Sequence, residues 1–144
     1  MQNSCAPMTS KPGKLLIIED HPIVRQGLLG ALRAHGYEEI YEAASCAEGR
    51  GQIAQINPDI IVTDLHLPDG LSFDVIRWAR EIKPSIAVII LTVESNPNFL
   101  IAAAQSGANA LIHKSAPIAQ LTSAINVALS APKSFTAEGL SDAI

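Results

Sequence analysis

The sequence predicts an α/β fold in which helices cover both faces of a five-stranded parallel sheet. The first observation is a set of short apolar runs rich in β-branched residues, of which 15–18, 60–62 and 86–91 are the clearest. Such runs are typical of strands that are buried on both faces. The second observation is that a segment with helical spacing of apolar residues separates consecutive runs, which favours a parallel sheet. The length of 144 residues fits one domain with a substantial core.

The first strand, 14–18, leads into a helix. It ends in Glu19 and Asp20, and Pro22 suits the first turn of a helix because its missing N–H would have no partner there. We expect this helix to end near Gly36. It should bury one stripe of small and apolar side chains at helical spacing, namely Ile23, Val24, Gly27, Leu28, Ala31 and Leu32.

The next elements lead to the central strand. A weaker, more polar strand over 39–43 suits a sheet edge, and a short helix over 46–56 follows it. The central run 60–62 then delivers Asp64 to its end, where the turn 68–70 stops the strand. A buried strand has no structural use for a carboxylate at its exit, so Asp64 is the first candidate for chemistry. Considered alone, Asp64 could equally be a turn or helix cap.

The second half repeats the pattern. We expect a helix over about 73–83, a buried strand over 86–91, a helix over about 98–106, a short strand over 109–112 and a final helix over 118–129. Five strands then alternate with five helices.

Polar side chains follow four of the predicted strands: Glu19 with Asp20, Asp64, Thr92 and Lys114. The functional crevice of such a sheet lies outside the carboxyl ends of its strands, so these groups should converge on one rim. Two carboxylates at ~4 Å repel by about 4 kcal/mol at an effective dielectric of about 20, which implies a bound cation. Oxygen ligands with room for water suit Mg²⁺. A neighbouring lysine and hydroxyl complete a phosphoryl site, and a carboxylate such as Asp64 can accept phosphoryl as an acyl phosphate.

Residues 14–129 resemble the receiver domain of two-component response regulators. The segment 19–28, Glu-Asp-His-Pro-Ile-Val-Arg-Gln-Gly-Leu, is most similar to the NarL/FixJ (LuxR-type) subfamily, and Lys114 follows Asp64 at the spacing typical of the family. The resemblance implies a flavodoxin-like (CheY-like) three-layer α/β/α sandwich, with the sheet in the order 2-1-3-4-5.

The resemblance also implies roles for individual residues. Asp64 matches the phosphoacceptor, and the Mg²⁺ ligands would be the carboxylates of Glu19, Asp20 and Asp64 with the backbone carbonyl of His66. No histidine side chain is expected to bind the metal, and His21 is expected only at the start of a helix.

Two further positions match the family, and two depart from it. Thr92 matches the switch hydroxyl and Lys114 the lysine that contacts the phosphoryl group. Leu111 stands where most receivers have an aromatic residue, and Ser72 where glycine is common. The switch is expected to act on the surface of the fourth helix, the last strand and the fifth helix, where partners or a second copy bind.

The function implied is that of a phosphoacceptor. A sensor histidine kinase would phosphorylate Asp64 in a Mg²⁺-dependent reaction and so control dimerisation and transcription, with no enzymatic activity beyond self-phosphorylation and autodephosphorylation. Two alternatives remain. One is a degenerate receiver that acts as a phosphorylation-independent interaction module. The other is a hydrolase of the aspartyl-phosphate type, which would have a second aspartate where this chain has His66.

Composition sets the domain and partner expectations. With a net charge of -4 and no basic stripe, the chain is not expected to bind DNA directly. The resemblance implies that DNA would be reached only through a C-terminal helix-turn-helix domain absent from this sequence, and the alternative is a natural single-domain receiver. We expect a flexible leader over 1–13, the receiver over 14–131 and a linker toward that domain over 132–144. Two cysteines cannot form a disulfide framework, and no apolar run approaches a membrane span, so a cytoplasmic protein is expected.

Overall fold

A parallel β-sheet forms the centre of the computed structural model, which describes residues 13–94 and 96–137. The strands in chain order are β1 (Leu15–Ile18), β2 (Ile40–Ala43), β3 (Ile60–Asp64), β4 (His66–Leu67), β5 (Gly70–Leu71), β6 (Ala87–Thr92), β7 (Ala110–His113) and β8 (Thr136–Ala137). The helices are α1 (Pro22–Ala34), α2 (Cys46–Ile56), α3 (Phe73–Ile82), α4 (Pro97–Ser106) and α5 (Ile118–Ser130). Strands β4 and β5 form a small antiparallel hairpin, and the others form one sheet in the order β2-β1-β3-β6-β7-β8.

The predicted flavodoxin-like order is confirmed. The first five strands of the large sheet follow the order 2-1-3-4-5, every neighbouring pair is parallel, and five helices connect or follow them. Alternate side chains of the central strands enter two separate cores. Leu16, Ile61 and Ile90 pack toward α2, α3 and α4, whereas Ile17, Val62 and Ile89 pack toward α1 and α5. Because each fully buried aliphatic side chain contributes about 1.5–3 kcal/mol, these two layers supply most of the stability.

Local capping explains where helix α2 begins and ends. The Ser45 hydroxyl accepts a hydrogen bond from the Glu48 N–H, and the Glu48 carboxylate accepts one from the Ala44 N–H. This reciprocal pair satisfies amides that an uncapped first turn would leave without partners. At the other end, Asn57 adopts a left-handed conformation with φ of 52°, which turns the chain into β3.

The predicted apolar stripe of helix α1 is wrong in its first turn and at Gly27, which is also exposed, and it omits the buried Leu29. Leu29 and Leu32 are the buried side chains of the helix, whereas Ile23 is 87% exposed and Val24 is 44% exposed. The helix begins directly after β1, so its first turn lies beyond the carboxyl ends of the strands and has no sheet beneath it. Helical spacing predicts which side chains share one face of a helix, but it does not show where the helix extends beyond the sheet that buries that face.

The chain returns to the sheet after helix α5. Residues 132–137, expected as the start of a linker, include β8, a sixth parallel strand beside β7. The remainder of that predicted linker, 138–144, and most of the predicted leader, 1–12, lie outside the described residues. Within the described ranges, no helix has both the length and the apolar character that a membrane crossing requires.

Candidate functional site

The carboxylates predicted to converge do so. Strands β1 and β3 are parallel neighbours in which Ile18 pairs with Thr63, so the residues that follow them, Glu19 and Asp64, leave the sheet at the same level. Ligand atoms of Glu19, Asp20, Asp64 and the His21 ring all lie within 4.8 Å of one another. Glu19 and Asp64 are buried, with exposed fractions of 2% and 8%, so water screens their mutual repulsion poorly.

Lys114 places a positive charge between the two buried carboxylates. Its ammonium group donates to Glu19 Oε1 at 2.8 Å and to Asp64 Oδ2 at 3.1 Å. The backbone N–H of Lys114 donates to the Thr92 carbonyl at 2.8 Å, which fixes the start of the lysine side chain at the end of β6. The predicted meeting of Lys114 with the acidic group is therefore present in the structure.

The protonation preferences of this cluster show that one ammonium group does not fully balance it. Burial raises the pKa of Asp64, and the neighbouring Glu19 charge adds to that effect, while Lys114 only partly opposes it. Burial also disfavours ionised Glu19, but the Lys114 ammonium and the His21 N–H outweigh it and hold the pKa of Glu19 below its usual value. For Lys114, burial acts against the charge, yet the two carboxylates raise its pKa. The charge of Asp64 is therefore less well compensated than that of Glu19.

One carboxylate oxygen of the cluster has no hydrogen bond among the described residues. Asp20 Oδ1 is buried and makes no hydrogen bond within the part of the chain that the structure describes. The His21 Nδ1 atom lies 3.3 Å from it, without the geometry of a hydrogen bond. Clustered carboxylate oxygens, one of them unpaired, form the donor set that Mg²⁺ prefers. The residues present therefore fit this ion.

His21 is the member of the cluster that sequence reasoning missed. It occupies the N-cap position of α1 as expected, but its Nδ1 atom also lies 3.2 Å from Glu19 Oε2. The sequence signal is its place directly after the acidic pair, a position that a helix start also explains. Because Mg²⁺ favours oxygen over imidazole, the ring is better understood as a neighbour of the carboxylates than as a ligand.

Thr92 lies at the same rim, as expected. It ends β6, in which the preceding Leu91 pairs with Asp64, and it is buried. Its hydroxyl oxygen accepts a hydrogen bond from the Glu94 N–H at 3.0 Å. That bond uses a lone pair and leaves the hydroxyl proton available to another acceptor.

Glu94 also connects two loops at the rim. Its carboxylate contacts the His66 ring Nε2, and that ring makes a T-shaped contact with the Phe99 ring at 5.7 Å between centroids. The loop that follows Asp64 and the loop that follows Thr92 are thus joined by side chains. His66 lies two residues after Asp64, where its carbonyl was predicted to bind the metal, and its side chain serves this separate contact.

Leu111 lies behind the rim rather than in it. The residue is on β7, is 6% exposed and belongs to the core on the α4 side of the sheet. Its strand partner is Ile90, two residues before Thr92. The position expected to hold a switch aromatic is therefore filled by a packed aliphatic side chain.

An apolar groove opens beside Lys114. It runs between α1 and the loop that follows β7, and it is lined by Val24, Gly27, Leu28, Leu91, Ile112, His113, Lys114, Ala116, Pro117, Ile118 and Leu121. The exposed first turn of α1, described above, forms one wall. A carboxylate cluster, a lysine and a threonine hydroxyl thus lie at the same rim of the sheet as an apolar groove.

Comparison with known proteins agrees with this arrangement. The family described as the response regulator receiver domain matches residues 15–126. The chain is 34% identical over 123 residues to the KDP operon transcriptional regulatory protein KdpE of Escherichia coli K12, covering 85% of this chain and 54% of that protein. It is 30% identical over 102 residues to the DNA-binding transcriptional activator DevR/DosR of Mycobacterium tuberculosis, covering 70% and 47%. The chain thus spans about half the length of these curated relatives.

Solved structures give the same match. A LuxR-family two-component response regulator from Aurantimonas sp. SI85-9A1 superposes with a TM-score of 0.81 at 28% identity, covering 93% of this chain and 96% of that one. A response regulator receiver domain protein from Clostridium thermocellum superposes with a TM-score of 0.77 at 30% identity, covering 85% and 98%. Both similarities extend over nearly all of the described fold.

Proposed function

Because this chain belongs to the family of response regulator receiver domains, we propose that Asp64 accepts a phosphoryl group from the phosphohistidine of a sensor histidine kinase. The observation that carries the proposal is the buried Asp64 carboxylate, 3.1 Å from the Lys114 ammonium and within 4.8 Å of two more acids. A site with this much uncompensated negative charge is suited to a metal ion, whose positive charge would also neutralise the anionic oxygens of an incoming phosphoryl group.

In the proposed reaction, a carboxylate oxygen of Asp64 attacks phosphorus. The new O–P bond forms as the P–N bond of the phosphohistidine breaks, and the imidazole leaves with the electron pair of that bond. Glu19, Asp20 and Asp64 would hold Mg²⁺, with the His66 carbonyl as a further ligand, and the bound ion supplies charge that neutralises phosphoryl oxygens. Asp64 must be ionised to attack, and Lys114 favours that ionised form.

Lys114 and Thr92 are proposed to respond to the product. The ammonium of Lys114 is held by Glu19 and Asp64 before reaction, so it can turn to a phosphoryl oxygen without leaving the cluster. The Thr92 hydroxyl keeps its proton available for donation to another phosphoryl oxygen, since the Glu94 N–H occupies only its lone pair. Movement of Thr92 would reach Leu111 through the paired strands β6 and β7.

The kinase is proposed to dock in the apolar groove beside Lys114. A phosphohistidine must approach Asp64 from the rim of the sheet, and the groove that Lys114 shares with the exposed Val24 lies beside that approach. Several relatives are named as transcriptional regulators. We therefore place this chain in the cytoplasm as the receiver portion of such a regulator, which would reach DNA through a further domain and dimerise on phosphorylation.

A labelling experiment tests the site. The chain is incubated with acetyl phosphate and Mg²⁺, and intact mass is recorded for wild type, Asp64→Asn and Asp74→Asn. Asp74 is a matched control because its carboxylate is exposed on α3 and pairs only with Arg77 among the contacts described. Wild type and Asp74→Asn should each gain the mass of one phosphoryl group, and Asp64→Asn should gain none.

The same experiment separates the alternatives. Labelling of Asp64→Asn, or labelling of wild type in excess chelator, would contradict the assignment. No labelling of wild type favours the phosphorylation-independent interaction module. Rapid, repeated release of phosphate without a persistent labelled species favours the aspartyl-phosphate hydrolase.

A further inference from the structure

The backbone that follows Asp64 is folded into the hairpin of β4 and β5. Only the buried Leu65 separates the end of β3 from β4, so the hairpin begins directly beside the carboxylate cluster. Leu67 of β4 is buried in the core on the α4 side of the sheet, which holds the inner part of the hairpin. The turn at its tip, residues 68–69, is exposed. The tip is therefore held by contacts outside the core.

Asp69 attaches the tip of the hairpin to helix α2. Its Oδ1 atom accepts a hydrogen bond from the Cys46 N–H at 2.8 Å, and its Oδ2 atom accepts one from the Ala47 N–H at 3.0 Å. These two N–H groups hold the pKa of Asp69 below its usual value, and the positive end of the helix dipole also favours the charged carboxylate. The donors lie 23 and 22 positions earlier in the chain. The contact is therefore tertiary and joins two separate elements.

Helix α2 has a capping box of its own, formed by Ser45 and Glu48. The two first-turn amides that this box does not use, those of Cys46 and Ala47, both donate to Asp69. Water commonly satisfies such N–H groups at the start of a helix. The bonds to Asp69 are therefore more important for the position of the hairpin than for the existence of the helix.

The hairpin is also attached on a second side. The contact of the His66 ring with Glu94, described above, ties β4 to the loop that follows β6. The hairpin thus lies between two attachments, one on α2 and one on that loop. The backbone of His66 is part of the segment that they hold.

The pairing within the hairpin leaves the His66 carbonyl available to a ligand. The Ser72 N–H donates to the Leu65 carbonyl at 3.1 Å, which makes these two residues a hydrogen-bonded pair. Hydrogen-bonded and non-hydrogen-bonded pairs alternate along an antiparallel ladder. The next pair, His66 with Leu71, is therefore a non-hydrogen-bonded pair, and the carbonyl of His66 is directed away from β5.

We propose that Asp69 is a positioning residue for the metal site: by holding the hairpin on α2, it keeps the His66 carbonyl where Mg²⁺ can use it. This inference rests on the metal ligands of the proposed function and adds to them a carboxylate that is not itself a ligand. Docking of the hairpin and binding of the ion are then coupled. The factor by which the docked hairpin favours the ion is also the factor by which the ion favours docking.

The first test measures metal affinity without any phosphorylation. Free Mn²⁺, which prefers the same oxygen ligands as Mg²⁺, is counted by electron paramagnetic resonance in titrations of wild type, Asp69→Ala and Asp74→Ala. Asp74→Ala is the matched control, because it removes an exposed carboxylate on α3 that pairs with Arg77. Asp69→Ala should bind Mn²⁺ about tenfold more weakly, as loss of a contact that orients a metal ligand commonly produces. Asp69→Asn, which keeps one acceptor, should lie between Asp69→Ala and wild type.

The second test uses wild type alone and measures the reverse effect. Amide hydrogen exchange is recorded by NMR with chelator and with saturating Mg²⁺. The amides of Cys46 and Ala47 are protected by Asp69, so their exchange reports undocking of the hairpin. Mg²⁺ should slow their exchange by about the same factor of ten. The Glu48 amide, which donates to Ser45 in the same turn, is the internal control and should not change.

Equal Mn²⁺ affinity in wild type and Asp69→Ala overturns the inference. Exchange at Cys46 and Ala47 that Mg²⁺ leaves unchanged also overturns it, because Asp69 would then only stabilise the structure. Urea unfolding followed by Trp78 fluorescence checks that each variant is folded, and the exchange test decides the question even if a variant is not.

Failure of the proposed function gives a different result. Wild type would then bind Mn²⁺ with the expected dependence on Asp69 and yet gain no phosphoryl mass from acetyl phosphate. Wild type that binds no Mn²⁺ would overturn both proposals.

Discussion

Replacement of Asp64 by asparagine should stabilise the metal-free protein. Burial and the Glu19 charge raise the pKa of Asp64 in the folded state, whereas in the unfolded chain this carboxyl ionises normally. At neutral pH folding therefore works against the Asp64 charge, a cost that disappears as pH falls and both states become protonated. Asparagine removes the charge, and its amide oxygen can still accept the hydrogen bond from Lys114.

The size of the effect follows from opposing terms. Repulsion between two carboxylates at ~4 Å is about 4 kcal/mol at an effective dielectric of about 20. Lys114, 3.1 Å from Asp64 and 2.8 Å from Glu19, cancels most of this repulsion in the folded state. The remainder, together with the cost of burying the charge, should make Asp64→Asn more stable by about 1–2 kcal/mol in chelator.

With Mg²⁺ present, wild type should become more stable than Asp64→Asn. An ion that binds only the folded wild type adds about 2.7 kcal/mol when its concentration is about 100 times the Kd, and a site with one carboxylate fewer gains less. Urea unfolding, followed by Trp78 fluorescence and far-UV circular dichroism, gives the free energy of unfolding for both proteins with chelator and with Mg²⁺. If Asp64→Asn is less stable than wild type in chelator, or if Mg²⁺ stabilises both proteins equally, the electrostatic account of this cluster is wrong.

Three other outcomes are expected. The Ser72 hydroxyl is fully buried and has no hydrogen-bond partner within the described residues. Ser72→Ala should therefore raise the free energy of unfolding, measured in urea, by about 1 kcal/mol. A lower free energy of unfolding would contradict this account. Burial and Asp69 raise the pKa of Cys46 from 9.0 to about 11. In a Cys5→Ser background, the folded protein should therefore be alkylated at pH 8 about 100-fold more slowly than the protein unfolded in urea, and its alkylation rate should increase with pH. Equal rates in the folded and unfolded protein would contradict the raised pKa. Beryllofluoride with Mg²⁺ should strengthen self-association, measured by sedimentation, by about 1–3 kcal/mol. Thr92→Ala should lose most of this gain, and Leu111→Tyr should show a larger gain than wild type. A full response by Thr92→Ala would refute the role of Thr92 as the switch hydroxyl.

The sheet and the convergence of its polar ends could be predicted because each depends on local signals. Apolar runs identify buried strands. Parallel connectivity then places Glu19, Asp64 and Lys114 at the rim formed by the carboxyl ends of those strands. The same reasoning failed for the first turn of α1, since spacing shows which side chains share a face and not whether anything lies beneath that face. Ile23 fits the stripe and is nevertheless exposed.

The remaining features depend on partners distant in sequence. No apolar run marks residues 132–137, and their place in the sheet is fixed by Asn109, more than 20 residues earlier. Likewise, the contact between His66 and Glu94 spans 28 positions and joins two loops that carry no common pattern. Such contacts follow from the assembled fold, so single-sequence periodicity cannot reveal them.

The position of β8 changes where this module can be joined to others. A receiver cut after Ser130, where its last helix ends, would leave the buried Asn109 amide without acceptors and β7 without a neighbour. Chimeric regulators that graft a new output domain onto this receiver should therefore place the junction after Ala137. A fusion made seven residues earlier would be expected to lower the stability of the receiver, and the fault would lie in the junction rather than in the grafted domain.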